Sequence, residues 1–398
     1  MVSSSSRVKN FTDGLTFVRS NENVDIWAMS ILCVVIFLVC MGLVMLSSAS
    51  MVWALRKFGE QNYFFKRQVI YALLGFGVMA ITSQIKIASL RKLTLPILLI
   101  SFIGLILCLT PLSTSAKGAS RWISIGFFNF QPSEMAKIGI IFYIAHSMGR
   151  KAEKIKSFTV GFLPHLIVAS IFALLCIKEP DFGSASLIMI LCFVLLFIGG
   201  TRLGYILASI VAMTPVAIAA IAFSPYRMRR LMSFLNPEKD ILGMNYQINE
   251  SLISIGSGGI WGKGIGGGMQ KLLFLPDAHT DFIASIIGEE LGFVGIVCLL
   301  ILFGIIVFSG IKIAFRCKDL YSMYLASGIS LYLGLQTAIN LMVVMGLLPT
   351  KGMTLPFLSY GGSSLIVNLF AVGILLAVAK QNNSTNSNPI SEVFGEVK

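Results

Sequence analysis

The sequence predicts an all-α integral membrane protein with about ten transmembrane helices, both termini in the cytoplasm, and a long extracytoplasmic loop between spans seven and eight. The first observation is composition: 56% of the 398 residues are hydrophobic and only 12% are charged, whereas soluble globular proteins carry about 25% charged residues. The second is that apolar segments of about 20 residues, the length needed to cross a bilayer, recur along the chain. The third is that basic residues return in every second connection between these segments.

Ten apolar segments are long enough to be spans, and the eighth and ninth are long enough to tilt or to extend beyond the bilayer. The predicted spans are 26–48, 66–84, 93–110, 132–149, 158–177, 182–200, 202–224, 282–313, 320–346 and 361–380. They form a single membrane domain over 26–380, which includes the long outer loop at about 225–281. Residues 1–25 and 381–398 are predicted to be cytoplasmic tails.

The orientation of the spans follows from the positions of Lys and Arg. The amino-terminal tail and the connections after spans two, four, six and eight carry basic residues, for example Lys86, Lys151 and Arg316. Cytoplasmic connections are enriched in Lys and Arg, so these connections and both termini are assigned to the cytoplasm. The formal net charge of +13 is explained in this way, and no nucleic-acid partner is expected.

The seven cysteines do not form a redox or metal-binding pattern. Six lie within apolar runs, and none belongs to a Cys-x-x-Cys pair or to a spacing typical of a metal site. Buried or reduced thiols are therefore expected, without a disulfide framework. The cysteines are Cys33, Cys40, Cys108, Cys176, Cys192, Cys298 and Cys317.

The stretch 274–292 carries the main candidate for chemistry. Asp281 lies where a polar outer segment enters an apolar helix, and Glu289 and Glu290 follow about two turns deeper. Ionisable groups at membrane depth are costly and usually functional, so Asp281 is predicted to be a general base at the outer face. In a helix that starts near Asp281, Glu289 would face the bundle interior and Glu290 the opposite side. The alternative is that Thr280 or Asp281 caps the helix N-terminus, a position both residue types favour.

A glycine-rich segment at 255–268 precedes this stretch. It lacks the Gly-Lys-Ser/Thr of a phosphate-binding loop, and no strand precedes it, which argues against a nucleotide-binding fingerprint. Two interpretations stay open: an anion-binding nest beside Lys263 and Lys271, or close packing of main chain on main chain. The arginines of 226–230 either recognise an anionic head group or rest on lipid phosphates.

Further ionisable residues lie towards the same outer side. The second outer segment contains Lys117, Arg121 and Trp122, and Lys137 follows about one turn inside the next span. Lys137 either snorkels to the interface, pairs with Glu134 at i,i+3, or faces a polar cavity. The sequence offers no chain of such groups that reaches the cytoplasmic side, which favours an enzyme over a transporter.

Several motifs lie in or next to the connections predicted on the outer side of the membrane, including Asp-Ala-His-Thr-Asp-Phe-Ile and Ser-Tyr-Gly-Gly-Ser. They lie at 117–123, 131–134, 180–183, 277–283, 287–292 and 359–363. In content, order and spacing they resemble the SEDS family (shape, elongation, division and sporulation proteins) over about 117–364. The segments 287–290 and 347–356 are more similar to the division members than to the elongation members. Glu179 and Glu250 depart from the pattern, because family members usually have Gln there.

The resemblance implies a peptidoglycan glycosyltransferase that polymerises lipid II during cell division at the outer face of the bacterial cytoplasmic membrane, concentrated at the septum. It implies a class B penicillin-binding protein and other division proteins as partners, besides membrane lipids. Asp281 would be the catalytic base in an inverting transfer that releases undecaprenyl pyrophosphate. No metal ligands and no required cofactor are predicted, and a divalent cation at the pyrophosphate is a further candidate. Substrate contacts are expected from Lys117, Arg121, Trp122, Lys137, Lys271, His279, Thr280, Glu289, Ser359, Gly361 and Gly362.

Two other classes of function stay open. A lipid II flippase would use the same polar region without a base, and it would need ionisable groups accessible from both faces in turn. A non-catalytic scaffold would recruit the transpeptidase and would tolerate replacement of Asp281 by Ala. His279, two residues before Asp281, is a weaker candidate for direct chemistry, since loop histidines are more often structural.

Overall fold

The computed structural model describes residues 25–111, 113–116, 119–126, 128–236, 245–272 and 274–386. The amino-terminal tail up to residue 24, the last twelve residues and Lys117 lie outside the described residues. The domain boundaries proposed for the two tails therefore stay predictions.

The described residues contain twelve α-helices. They are α1 (Ile26–Phe58), α2 (Tyr63–Thr82), α3 (Ile87–Cys108), α4 (Pro132–Arg150), α5 (Leu163–Lys178), α6 (Phe182–Ile198), α7 (Leu203–Ala222), α8 (Pro225–Leu235), α9 (Tyr246–Gly258), α10 (Ile283–Phe315), α11 (Leu320–Val344) and α12 (Gly362–Asn386). Ten of these correspond to the predicted spans, and α8 and α9 belong to the long outer loop. Short helical turns at Ala152–Lys154 and Phe158–Phe162 lead into α5.

Eight of the helices in the described part of the chain are long and apolar enough to cross a membrane. The two others that match predicted spans fall short for identifiable reasons: α6 has only 17 residues, and α4 carries Glu134 and Lys137. Both pack within the same bundle, against each other and against α11. The chain is therefore a multi-pass, almost entirely helical membrane protein, as the sequence predicts.

The first helix is longer than its predicted span. The segment 49–65 is predicted to be an outer connection, but α1 continues ten residues past 48, to Phe58. Neither Gly nor Pro occurs between 49 and 58, so nothing interrupts the helix there. It ends at Gly59, whose φ of 71° and amide bond to the Leu55 carbonyl oxygen at 2.9 Å form a left-handed cap.

The second outer segment contains a small sheet that the all-α prediction missed. Three antiparallel strands lie in the order β1 (Ser113–Ala116), β2 (Ala119–Ile125) and β3 (Phe128–Phe130). Gly126, with φ of 61°, lies in the tight turn between β2 and β3. The central strand β2 places Arg121 and Trp122 at the outer end of the bundle.

The helices differ in how far they lie inside the bundle. The spans of α11 and α12 are 67% and 78% buried, whereas that of α7 is 12% buried and lies at the periphery. The two central helices carry buried polar side chains, among them Gln336, Asn340 and Asn368. Such groups need partners within the protein, and their partners lie at the outer end of the bundle.

Candidate active site

Asp281 lies in the turn immediately before α10, at the outer end of the bundle. The N-cap residue of α10 is Phe282, whose side chain makes no cap hydrogen bond. The alternative assignment of Thr280 or Asp281 as the N-cap is therefore wrong. The Asp281 carbonyl oxygen accepts a hydrogen bond from Asn340 Nδ2 at 3.0 Å, and the same Nδ2 donates to the Met353 carbonyl oxygen at 2.7 Å. Asn340 thus ties the turn of Asp281 to the outer loop between α11 and α12.

Gly352, in that outer loop, faces both Asp281 and Arg121. A Cβ atom placed on Gly352 would lie 3.3 Å from Asp281 Oδ2 and 3.6 Å from Arg121 Nη1. A carboxylate and a guanidinium group therefore both lie beside one glycine, and the absence of a side chain there leaves room for the Asp281 carboxylate. The structure brings together two of the residues that the sequence selects for chemistry.

Arg121 is held by the turn between α5 and α6. Its Nε donates to the carbonyl oxygen of Glu179 at 3.2 Å, and its Nη2 donates to that of Pro180. The turn is itself fixed, because the Asp181 carboxylate accepts from the Ser184 amide of α6 at 3.0 Å and the Asp181 amide donates back to α5 at 2.8 Å. These contacts orient the guanidinium plane before any ligand binds, and Nη1 is directed towards Gly352.

A cavity of about 110 Å³ opens beside Arg121. Arg227, Arg230 and Lys351 contribute to its wall, together with the single carboxylate of Asp181. Four cationic side chains against one carboxylate make a site that favours an anionic ligand, and guanidinium groups bind phosphate oxygens through paired donors. Two of the arginines in 226–230 therefore line a cavity suited to an anionic group, and both interpretations of these arginines stay open.

Main-chain carbonyl oxygens position these two arginines. The Arg227 guanidinium donates to the carbonyl oxygens of Ala220 at 2.9 Å and Ile177 at 3.0 Å. Arg230 Nη1 donates to the carbonyl oxygen of Thr350 at 2.8 Å. A neutral acceptor orients a guanidinium without cancelling its charge, so these contacts preserve the basic character of the wall.

Burial also changes two titratable groups of the connections around the cavity. It lowers the pKa of Lys351, against the opposing effect of the nearby Asp181 carboxylate. Burial raises the pKa of Glu179 to about 8, with repulsion from Asp181 adding to the rise and the Arg121 guanidinium opposing it. Glu179 is therefore mainly protonated at neutral pH.

Lys137 lies in a closed polar network between α4, α11 and α12, and only 1% of it is exposed. Its Nζ donates to Glu134 Oε1 at 2.7 Å and to Gln336 Oε1 at 2.9 Å. The Tyr332 hydroxyl donates to Asn368 Oδ1 at 2.8 Å and lies 3.3 Å from Glu134 Oε2. Of the three alternatives for Lys137, the ion pair at i,i+3 is confirmed. Its contact with substrate stays a prediction.

Glu289 and Glu290 both hold the glycine-rich segment against α10. Glu289 Oε1 accepts from Lys263 Nζ at 2.8 Å, and Glu290 Oε1 accepts from Lys271 Nζ at 2.7 Å. Both carboxylates are fully buried. Because the segment 263–271 extends around the helix, it meets both side chains, and the prediction that Glu290 points to the opposite side stays a prediction. Substrate contacts of Glu289 and Lys271 stay predictions.

The glycines of this segment bring main chain against main chain. α10 breaks at Gly292, with φ of 68° and ψ of −165°, and a Cβ atom there would lie 2.3 Å from the amide nitrogen of Gly262. The amides of residues 263–264 donate to the carbonyl oxygens of residues 289–290 at 3.0 Å. The close-packing interpretation is confirmed, and the neighbouring lysines form ion pairs instead of an anion-binding nest.

His279 is buried in an aromatic cluster. Its ring centroid lies 4.8 Å from that of Phe64 and 5.4 Å from that of Trp53. Its carbonyl oxygen accepts from the Tyr360 amide at 2.9 Å, and the Thr280 hydroxyl donates within its own turn at 3.2 Å. These contacts hold the turn that carries Asp281, while direct contacts of His279 and Thr280 with substrate stay predictions.

Ser359, Gly361 and Gly362 pack on α2. The Gln68 side chain donates to the Ser359 carbonyl oxygen at 3.1 Å and accepts from the Gly361 amide at 3.4 Å. A Cβ atom on Gly362 would lie 2.8 Å from a tyrosine ring of α2. The three residues thus allow a close approach at the start of α12. Their contacts with substrate stay predictions, as does that of Trp122 on β2.

Three residues of the site were not predicted from the sequence. Lys351 and Gly352 lie within 347–356, a segment whose predicted significance was its similarity to the division members of a family. Asn340 could have been found from the sequence, because an amide side chain within an apolar span needs a hydrogen-bond partner inside the protein. Lys117, the remaining predicted contact, lies outside the described residues.

Fold and site together define a class of protein. It is a multi-pass membrane protein with a carboxylate beside a basic, partly buried cavity at one end of its helical bundle. Such a site can accept a proton at the carboxylate and stabilise negative charge on a phosphorylated group. An enzyme acting on an anionic, membrane-borne substrate fits this arrangement.

The chain belongs to the family described as cell cycle protein, FTSW_RODA_SPOVE, whose model matches residues 28–384. The match covers every described span except the first two residues of α1 and the last two of α12. The resemblance to the SEDS family is therefore confirmed.

Relatives of known name cover nearly the whole chain. A protein of Geobacter sulfurreducens (strain DL-1 / KN400), named "Probable peptidoglycan glycosyltransferase FtsW", is 44% identical over 359 residues, which are 90% of this chain and 96% of the relative. Stage V sporulation protein E of Bacillus subtilis (strain 168) is 39% identical over 350 residues, which are 87% of this chain and 95% of the relative. The similarity to the division branch is confirmed.

Solved structures share the fold. One is a chain described under "Structural coordination of polymerization and crosslinking by a peptidoglycan synthase complex". It has a TM-score of 0.74 at 28% identity and covers 88% of this chain and 97% of that chain. Another is the rod shape determining protein RodA of Thermus thermophilus, with a TM-score of 0.63 at 25% identity, covering 88% and 96%.

Proposed function

We propose that this chain is a peptidoglycan glycosyltransferase that polymerises lipid II into glycan strands at the outer face of the cytoplasmic membrane during cell division. The observation that supports it most is that Asp281 Oδ2 and Arg121 Nη1 both lie close to Gly352, which lines the basic cavity. Glycosyl transfer from a pyrophosphate-linked donor needs a proton acceptor close to a site for the leaving pyrophosphate.

In the proposed reaction, an N-acetylglucosamine hydroxyl of the acceptor attacks the anomeric carbon of the donor sugar. The new carbon–oxygen bond forms while the bond to the pyrophosphate oxygen breaks, and its electron pair leaves with undecaprenyl pyrophosphate. Attack from the opposite face inverts the anomeric carbon. Asp281 accepts the hydroxyl proton as attack proceeds, since a sugar hydroxyl is too weak an acid to ionise beforehand.

The basic wall has a matching role for the leaving group. Arg121, Arg227, Arg230 and Lys351 would offset the negative charge that develops on the pyrophosphate. Guanidinium groups already held by main-chain carbonyl oxygens need little reorganisation at the moment of reaction. Two membrane-anchored substrates held at one depth also gain from proximity.

The side chains present do not suit a resident divalent cation. Within the described ranges, no group of three His, Cys, Asp or Glu side chains could hold a metal ion, and the cavity wall is mainly cationic. We therefore derive no step through such an ion. A divalent cation that accompanies the pyrophosphate would belong to the substrate.

The partners follow from the same proposal. A strand-forming polymerase needs a transpeptidase to crosslink its product, so we propose a class B penicillin-binding protein as partner, with other division proteins at the septum of the bacterial inner membrane. The structural relative from a peptidoglycan synthase complex supports this assignment.

The test is polymerisation of labelled lipid II by the purified chain with its transpeptidase partner. Asp281→Ala and Asp281→Asn should abolish glycan strands while the protein stays folded and keeps its partner. Glu60→Gln, which removes an exposed carboxylate on the same outer side, is the matched control and should polymerise normally.

Each alternative function has its own outcome. Near wild-type polymerisation by both Asp281 variants would show that the base is another residue. An absence of strands from the unmodified chain, under conditions where a known polymerase makes them, would favour the flippase or the scaffold.

A further inference from the structure

The side chain of Glu179 is buried in the turn that holds Arg121. Only 1% of the residue is exposed, and neither carboxyl oxygen has a hydrogen-bond partner among the described residues. A buried ionised carboxylate without partners is strongly disfavoured. The carboxyl group is therefore compatible with this position only while it carries a proton.

The same residue supports Arg121 through its main chain. The Glu179 carbonyl oxygen accepts from Arg121 Nε at 3.2 Å. The titratable groups that face the carboxyl are few: Asp181 in the turn, Arg121 on β2, and the thiols of Cys108 on α3 and Cys176 on α5. Arg121 is the one cation in this set.

Ionisation of Glu179 would therefore create a competition for Arg121. A carboxylate is a stronger acceptor for guanidinium than a main-chain carbonyl, and repulsion from the Asp181 carboxylate would disfavour the new charge unless a cation approached it. We propose that Glu179 is a positioning residue that acts in its protonated form, and that loss of its proton draws the Arg121 guanidinium away from Gly352 and Asp281. This inference rests on the proposed function for its effect on activity.

The test compares the full chain with its Glu179→Gln variant, because Gln has nearly the same shape and cannot ionise. Lipid II polymerisation with the transpeptidase partner is measured from about pH 6 to pH 9.5. The wild type should fall to about one-tenth of its plateau one pH unit above the Glu179 pKa of about 8. Glu179→Gln should keep the neutral-pH rate and lose this alkaline decline. Glu153→Gln, an exposed substitution on the other side of the membrane, should decline like the wild type.

A second readout does not depend on activity. Since the folded pKa of Glu179 lies above its unfolded value, the native state loses stability as pH rises between the two values. The melting temperature of Glu179→Gln relative to the wild type should therefore increase with pH up to about 8 and then level off. When both proteins also carry Arg121→Gln, the melting-temperature difference should level off at a higher pH, because the cation that lowers the pKa of Glu179 is gone.

The two readouts separate the possible failures. If no protein polymerises lipid II at any pH, the proposed function fails, and the melting profiles still test the ionisation of Glu179. A melting difference that does not change with pH would overturn the inference. So would an alkaline loss of polymerisation that persists unchanged in Glu179→Gln.

Discussion

Replacing Gly352 by Ala tests whether the space at Gly352, beside Asp281 and Arg121, is where the reaction takes place. The added Cβ atom would lie 3.3 Å from Asp281 Oδ2 and 3.6 Å from Arg121 Nη1. The first distance is shorter than ordinary van der Waals contact, so the carboxylate must move by a few tenths of an ångström. The second is an ordinary contact and requires no movement.

The size of the effect follows from this displacement. A misplacement of about 1 Å can cost a factor of about 100 in rate, so Gly352→Ala should lower kcat by about threefold to tenfold. Gly352→Val adds a Cβ atom that carries two methyl groups at the same position and should lower kcat by about 100-fold or more. The glycine is exposed and its φ is not positive, so unfolding free energy should change by less than about 0.5 kcal/mol.

The assay is lipid II polymerisation by the chain with its transpeptidase partner, alongside thermal unfolding of each variant. Gly256→Ala is the matched control, since a Cβ atom on Gly256 of α9 would meet nothing within 4 Å. It should polymerise at the wild-type rate. Equal kcat values for wild type, Gly352→Ala and Gly352→Val would refute the placement of the reaction at Gly352. A loss of activity that only follows a loss of folded protein would refute it as well.

Two further substitutions test the buried ion pairs. Glu134→Gln leaves the Lys137 ammonium buried without its counter-charge and should lower the unfolding free energy by about 3–5 kcal/mol in chemical denaturation, whereas Glu60→Gln at an exposed pair should change it by less than about 1 kcal/mol. Equal losses would contradict the burial argument. Glu289→Ala removes the acceptor that holds Lys263, so limited trypsin digestion should cut after Lys263 faster than in wild type. Unchanged cleavage would show that other contacts hold the segment.

The spans were predictable because hydrophobic length is a local property of the sequence. The ends of the helices were less so, since hydropathy marks the apolar part of a helix and not its limits. α3 begins at Ile87 and includes Arg91 and Lys92, which the prediction placed in the connection before the span. Charged side chains at the end of a membrane helix reach the interface without ending the helix.

The site was predictable only in part, because its geometry arises from segments far apart in the chain. Asp281 and Arg121 stand out as charges at membrane boundaries. Gly352 has no side chain that would mark it in the sequence as a site residue. It belongs to the site only because three outer connections meet there. Lys137 was predictable in one respect, since its i,i+3 spacing to Glu134 indicates the ion pair that the structure shows, while its contact with substrate stays a prediction.

The break at Gly292 divides α10 into a short arm and a long arm. A small change of angle at this glycine, the pivot, would displace the tip of the short arm. The nine residues of 283–291 form a short arm of about 13 Å, with Asp281 just beyond its tip and Glu289 near its pivot. A rotation of about 5° at Gly292 would move the tip by about 1 Å, which is enough to change a reaction rate by about 100-fold. The ion pairs to Lys263 and Lys271 lie beside this break, so they help to hold the short arm, and with it Asp281, in place.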